Sequence, residues 1–167
     1  MKKQTRWIIA AVCLLLVITV GVGLYIRSTQ MAGEKAGAIT LNLNGKGVTV
    51  TLKDLNQAAF EGETVNGKGD RSTHAYRGVE LKALLTKNGL DAAKVTAVTA
   101  SSADQYTAEL TGDEIREDKR VYVAVEIDGK AVEGIDAGTN GAQLVVFGDP
   151  NSRRNVRYLS VIDVTGN

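Results

Sequence analysis

The sequence predicts an α+β fold behind one N-terminal transmembrane helix. Period-two alternation of apolar residues recurs along the chain, most strongly in VYVAVEI at 121–127, and such alternation marks strands. Helical spacing is confined to short stretches that do not alternate regularly with the strands, which argues against a doubly wound sheet. Residues 7–26, WIIAAVCLLLVITVGVGLYI, carry no charge. At about 1.5 Å per residue such a run reaches the roughly 30 Å of a bilayer core.

The anchor sets the expected topology. Lys2, Lys3 and Arg6 precede it, while Arg27 and Lys35 are the nearby cations that follow. The positive-inside rule places residues 1–6 in the cytoplasm. The reading is therefore a single-pass cell-membrane protein with its anchor at 7–26, a linker at 27–38 and an extracytoplasmic domain at 39–167. A cleaved secretory signal is the alternative, but RSTQM behind Ile26 offers no small-x-small site. Val12 before Cys13, with apolar sequence continuing after it, argues against a lipoprotein. Trp7, the one tryptophan, suits the membrane edge.

Beyond the linker, ITLNL at 39–43 and VTVTL at 48–52 alternate around Asn44-Gly45, which predicts a hairpin. Thr51 and Asp54 ahead of Leu55, Ala58, Ala59 and Phe60 predict a short capped helix. Residues 61–71 are polar and glycine-containing, and are expected to form a loop turning at Asn66-Gly67. Leu81, Leu84 and Leu85 share one helical face, and Asn88-Gly89 should end that helix. Strands are expected at 95–100 and 106–110, then a capping box at Thr111-Gly-Asp-Glu114. The strand at 121–127 should turn at Asp128-Gly129, and 144–147 and 156–164 supply two more.

Composition narrows the chemistry. The chain holds 20 Lys and Arg against 19 Asp and Glu. Four of the basic residues and none of the acidic ones lie in residues 1–27, leaving 16 − 19 = −3 for the remainder. That balance argues against a nucleic-acid partner. Cys13 is the one cysteine and His74 the one histidine, so the exported part can offer neither a thiolate site nor a multi-histidine metal site.

Four segments carry a family resemblance: YRGVELKALL at 76–85, DQYTAEL at 104–110, AVEIDGK at 124–130 and RNVRYL at 154–159. In this order and spacing the chain resembles the molybdopterin-binding domain of the sulfite-oxidase-like oxidoreductases over residues 39–164. The resemblance implies that family's fold, mixed β-sheets with a few short helices. It also implies a molybdenum-binding cysteine near Thr64 or Val65, where this chain has none, and hydroxyl or aliphatic groups do not replace a soft thiolate. The family's proline, arginine and proline are replaced here by Gly141, Gln143 and Phe147.

Arg154 and Arg157 fall on the family's two closing lysines. Arg153 lies beside Arg154, and residues 149–152 (DPNS) read as a turn; guanidinium groups and loop N–H groups of this kind hold anions. His74 and Arg77 fall near the family's substrate pocket. These four residues, His74, Arg77, Arg154 and Arg157, are the candidate ligand contacts. No catalytic residue and no metal ligand set is assigned, and no serine stands in a nucleophile-elbow context for His74 to serve.

The expected function is a membrane-anchored ligand-binding or interaction module on the molybdopterin-domain scaffold, without molybdenum redox catalysis. No cofactor is expected. An oxidoreductase, or its cofactor-carrying subunit, that retains molybdopterin is the alternative, and a structural subunit of an envelope complex is the second. The expected partners are the membrane through residues 7–26, and an anionic small molecule or an envelope protein.

Overall fold

The computed structural model describes residues 37–55, 57–150 and 152–166. Residues 1–6, the expected anchor at 7–26 and all but the last two residues of the linker lie outside the described residues. Among the described residues no helix is long and apolar enough to cross a membrane.

The first sheet runs β2-β1-β10-β5-β6, with β1 Ala38–Leu43, β2 Lys46–Thr51, β5 Val95–Ser102, β6 Thr107–Thr111 and β10 Leu159–Gly166. Strands β1 and β10 pair in parallel, and the other pairs are antiparallel. The second sheet runs β3-β4-β7-β8, with β3 Ala58–Val65, β4 Arg71–Glu80, β7 Val121–Ile127 and β8 Lys130–Ala131. Strand β9, Gln143–Val146, also pairs with β7, so one edge of β7 carries β9 along its first half and β8 at its end. Helix α1, Leu81–Lys87, leaves β4 directly, and α2, Gly112–Arg116, leaves β6.

Both sheets and α1 share one hydrophobic core. Leu41, Val98, Leu110 and Ile162 of the first sheet join Val121, Val123, Leu144 and Val146 of the second, with Leu81, Leu84 and Leu85 of the helix. Each such side chain, fully buried, contributes about 1.5–3 kcal/mol. Alternation then sends the intervening residues of the second sheet to its other side. There Tyr76, Ala124 and Val145 form a separate cluster with Phe60, Ile127 and Phe147. Phe60 stacks on Tyr122 at 4.0 Å between ring centroids, and Phe147 meets Tyr76 edge-on at 5.6 Å. This aromatic face carries the candidate site.

Most turns form as their residues dictate. Asn44 and Gly45 take φ of 48° and 84°, and Asp128 and Gly129 take 51° and 73°, the paired left-handed values that suit two-residue hairpins. The capping box at Thr111 and Glu114 is complete in both directions.

The stretch expected as a loop is structured instead. Residues 61–65 belong to β3, paired with β4 from Ala58↔Gly78 to Val65↔Arg71, and only 66–70 turn. Among the described residues β3 has just one sheet neighbour, and its outward positions are polar and its alternation weak, as suits an edge strand. The helix expected after Thr51 is a single 3-10 turn, Leu52–Asp54, without a side-chain cap. Leu55 follows in extended geometry and Phe60 joins β3, because strand pairing satisfies more backbone groups than a short isolated helix. Strand β10 begins at Leu159, since Tyr158 turns left-handed at φ 49° and Val156 makes only an isolated bridge to Leu144.

Candidate functional site

A cavity of about 590 Å³ opens over the end of β3 and the start of β4. Thr64, Val65 and Asn66 form one wall, and Ser72, His74 and Tyr76 the next. Asp104 and Tyr106, from the turn joining β5 to β6, approach from the first sheet. Ile127 and Gln143 close the floor, and Ser152, Asn155 and Arg157 come from the segment between β9 and β10. A larger cavity of about 690 Å³ lies farther along the same face, over Phe60, Tyr122 and Phe147 and beside Lys87 and Lys119. It contains none of the four predicted contacts.

Hydrogen bonds fix the smaller cavity's walls. Ser152 Oγ accepts from the Val65 N–H at 3.0 Å, tying the 152–157 segment to the end of β3. Asn155 Oδ1 accepts from the Val146 N–H at 2.8 Å. The Tyr106 hydroxyl donates to the Arg153 carbonyl. Burial pushes the Tyr76 phenol above its ordinary range, against the opposing effect of a hydrogen bond with Thr64. The Ser102 hydroxyl holds the Asp104 carboxyl below the usual range, so the lining carries a carboxylate as well as the arginine.

His74 sits in a chain of contacts. Its Nδ1 lies 2.6 Å from Asp128 Oδ2, and its Nε2 lies 2.9 Å from Ser72 Oγ. Asp128 Oδ1 in turn accepts from the Ala75 N–H at 3.0 Å. The hydrogen bond with His74, then that from Ala75, holds the Asp128 carboxyl below its ordinary range.

The four predicted contacts separate. His74 and Arg157 line the same cavity. Arg77 follows Tyr76 on β4, so it projects to the other side of the strand and faces Glu126 at 3.8 Å. Arg154 turns away into an internal ion cluster. Its Nε lies 3.0 and 3.1 Å from the two Asp149 oxygens, and its Nη1 lies 2.7 Å from Glu114 Oε1. Asp149, then Glu114, hold the guanidinium above its already high ordinary pKa. Arg157 makes no ion pair or hydrogen bond with the described residues.

Sequence reasoning missed Ser72 and Asp128. Ser72 lies two residues before His74, a spacing that shares a face once β4 is known to be a strand. Asp128 is distant in sequence and carried no signal beyond its turn.

The family model for the oxidoreductase molybdopterin binding domain matches residues 39–165. The chain belongs to this family. No match emerges among curated proteins. Among solved structures it is similar to the sulfane dehydrogenase SoxCD from Paracoccus pantotrophus, with a TM-score of 0.62 and 17% identity. That similarity covers 80% of this chain and 39% of the other, so this chain spans about two fifths of its length. At this identity the likeness is one of fold, and it agrees with the mixed sheets and short helices expected from the sequence.

The family's cofactor can be tested against the donors present. Hydroxyls, amides, an imidazole and a guanidinium suit the hydrogen-bonding, anionic organic part of a molybdopterin. The metal-ligating half does not fit, because Thr64 and Val65 offer no thiolate and Cys13 lies outside the described residues.

Proposed function

We propose that this chain is a cofactor-binding domain of an oxidoreductase, holding a molybdopterin-type pterin in the cavity between the end of β3 and the 152–157 segment. One observation carries the reading. Arg157 and His74 line the cavity that opens at Thr64 and Val65, where the family's thiolate would stand. Arg157 would hold the cofactor's phosphate. Gln143 would present its amide group, and Asn155 its amide N–H, to the pterin's donors and acceptors. Without a thiolate in the lining, the residues present would hold the organic, anionic part of such a cofactor. This chain's contribution is to bind and orient the ligand.

Family membership supports this reading over a module without a cofactor. The missing thiolate favours the second reading, a domain that binds an anionic ligand without molybdenum chemistry. In either case the full chain is expected to be tethered through residues 7–26 with the domain outside the cytoplasm, where an envelope protein could join it. Protease treatment of spheroplasts should digest the domain, and protection would sink that topology.

The deciding experiment is molybdenum analysis with a pterin fluorescence assay on full-length protein from its native host. Stoichiometric pterin supports the proposal, and pterin with molybdenum extends it to a metal held without cysteine. Absence of both overturns it and leaves the anionic-ligand module.

A further inference from the structure

Ser72, His74 and Asp128 are ordered as nucleophile, base and orienting carboxylate. Asp128 is fixed at two points, since its Oδ1 accepts from the Ala75 N–H and its own N–H donates to the Ala75 carbonyl at 2.7 Å. This aims Oδ2 at His74 Nδ1, 2.6 Å away. An ionised carboxylate only accepts hydrogen bonds, so Nδ1 keeps the proton of the neutral ring and Nε2 presents its lone pair. Ser72 Oγ lies 2.9 Å from that nitrogen, within reach for proton transfer. The pleat of β4 builds this contact, because residues two apart share a face. Ser72 and His74 also both line the cavity, alongside the unengaged Arg157.

We propose that Ser72 is the nucleophile of an acyl-transfer site, acting on an ester that carries a negative group for Arg157 to hold. Ser72 Oγ attacks the ester carbonyl carbon while its proton passes to His74 Nε2, and the carbonyl electron pair moves onto oxygen. Collapse breaks the bond to the leaving alcohol, which takes the proton back from His74. Water then attacks the acyl-serine by the same route, releasing the acid and restoring the serine. The sum is ester plus water to acid plus alcohol, with no change of oxidation state. Asp128 orients the imidazole and stabilises its protonated form. The activity needs side chains alone, and a pterin bound at Arg157 in the same cavity would compete with the ester.

The test uses the full-length chain, a fluorophosphonate probe with peptide mapping, and two chromogenic esters, p-nitrophenyl acetate and mono-p-nitrophenyl succinate. The expected result is one adduct, on Ser72, with turnover of the succinate ester preferred over the acetate. Turnover should fall at least about 100-fold in Ser72→Ala and His74→Gln, and less in Asp128→Asn. Arg157→Ala should raise KM for the succinate ester and remove the preference, with kcat little changed. Absence of a Ser72 adduct on the unsubstituted chain overturns the proposal, whether or not the variants fold. Turnover unchanged in a Ser72→Ala protein of normal melting temperature also overturns it. Both results leave the pterin assay unaffected.

Discussion

Arg154 covers the carboxylate of Asp149, which is only 4% exposed, and bonds both of its oxygens through Nε. The same guanidinium reaches Glu114 Oε1 at 2.7 Å, so the segment before β10 is joined to the cap of α2. Arg154 therefore has its anions built into the fold. Removing one partner of such a pair leaves a buried charge uncompensated. Arg154→Ala should cost about 2–4 kcal/mol, lowering the melting temperature by roughly 6–15 °C, as measured by calorimetry.

Glu114 should give the same cluster a dependence on acid. Burial works to raise its carboxyl, but the Thr111 N–H and Arg154 outweigh burial and hold it below its ordinary value. A carboxylate with a depressed folded pKa contributes stability above its unfolded value, near 4.3, and that contribution is lost as pH falls through the folded value. Denaturant midpoints should therefore drop on acidification below about pH 4.5. In Glu114→Gln that acid limb should be shallower, and an unchanged limb would remove Glu114 from the account.

Arg157 should behave in the opposite way to Arg154. It lines the cavity and has no ion-pair or hydrogen-bond partner among the described residues, so little stability depends on it. Arg157→Ala should leave the melting temperature within a few degrees. It should weaken binding of a pterin phosphate by roughly 10- to 100-fold, the value of one charge-assisted hydrogen bond, in a fluorescence titration. Equal thermal damage in both arginine variants would contradict this division.

The contrast between these arginines shows what could be read before folding. Both are cations in RNVRYL, and nothing local says that one meets Asp149 and Glu114 while the other faces a cavity. The hairpin turns at Asn44-Gly45 and Asp128-Gly129, the leucine face of α1 and the capping box at Thr111 were legible because each rests on neighbours in sequence. Strand β3 was hidden because its support comes from β4 and from rings packed over its glycine, not from its own apolar content. Asp128 reaches His74 across two strands, and such a partnership exists only once their register is set.

Two glycines of the second sheet should differ in cost. A Cβ on Gly62 would stand 2.1 Å from the Phe147 ring, and one on Gly78 would stand 2.1 Å from the Val123 carbonyl oxygen. A ring on a rotatable side chain can yield, whereas the backbone of a central strand cannot. Gly62→Ala should cost about 1–2 kcal/mol and disturb the aromatic cluster, visible in near-ultraviolet circular dichroism. Gly78→Ala should cost roughly 3 kcal/mol or more, in the same denaturant assay. The reverse order would contradict this reading of the sheet.

Thr64 and Val65 are adjacent, yet only one should be able to restore a metal ligand. Thr64 shares the face of Phe60 and Gly62, sits opposite Ser72 in the β3–β4 register and hydrogen-bonds Tyr76 in the cavity. Val65 points the other way by alternation, and its N–H is taken by Ser152 Oγ. A thiolate is the soft ligand that the site lacks. Thr64→Cys, expressed where molybdopterin is made, should raise molybdenum content well above the unsubstituted chain. Val65→Cys should not, by elemental analysis of both purified proteins. Equal retention by the two would mean that the cavity does not orient a ligand from β3, and the proposed cofactor position would have to move.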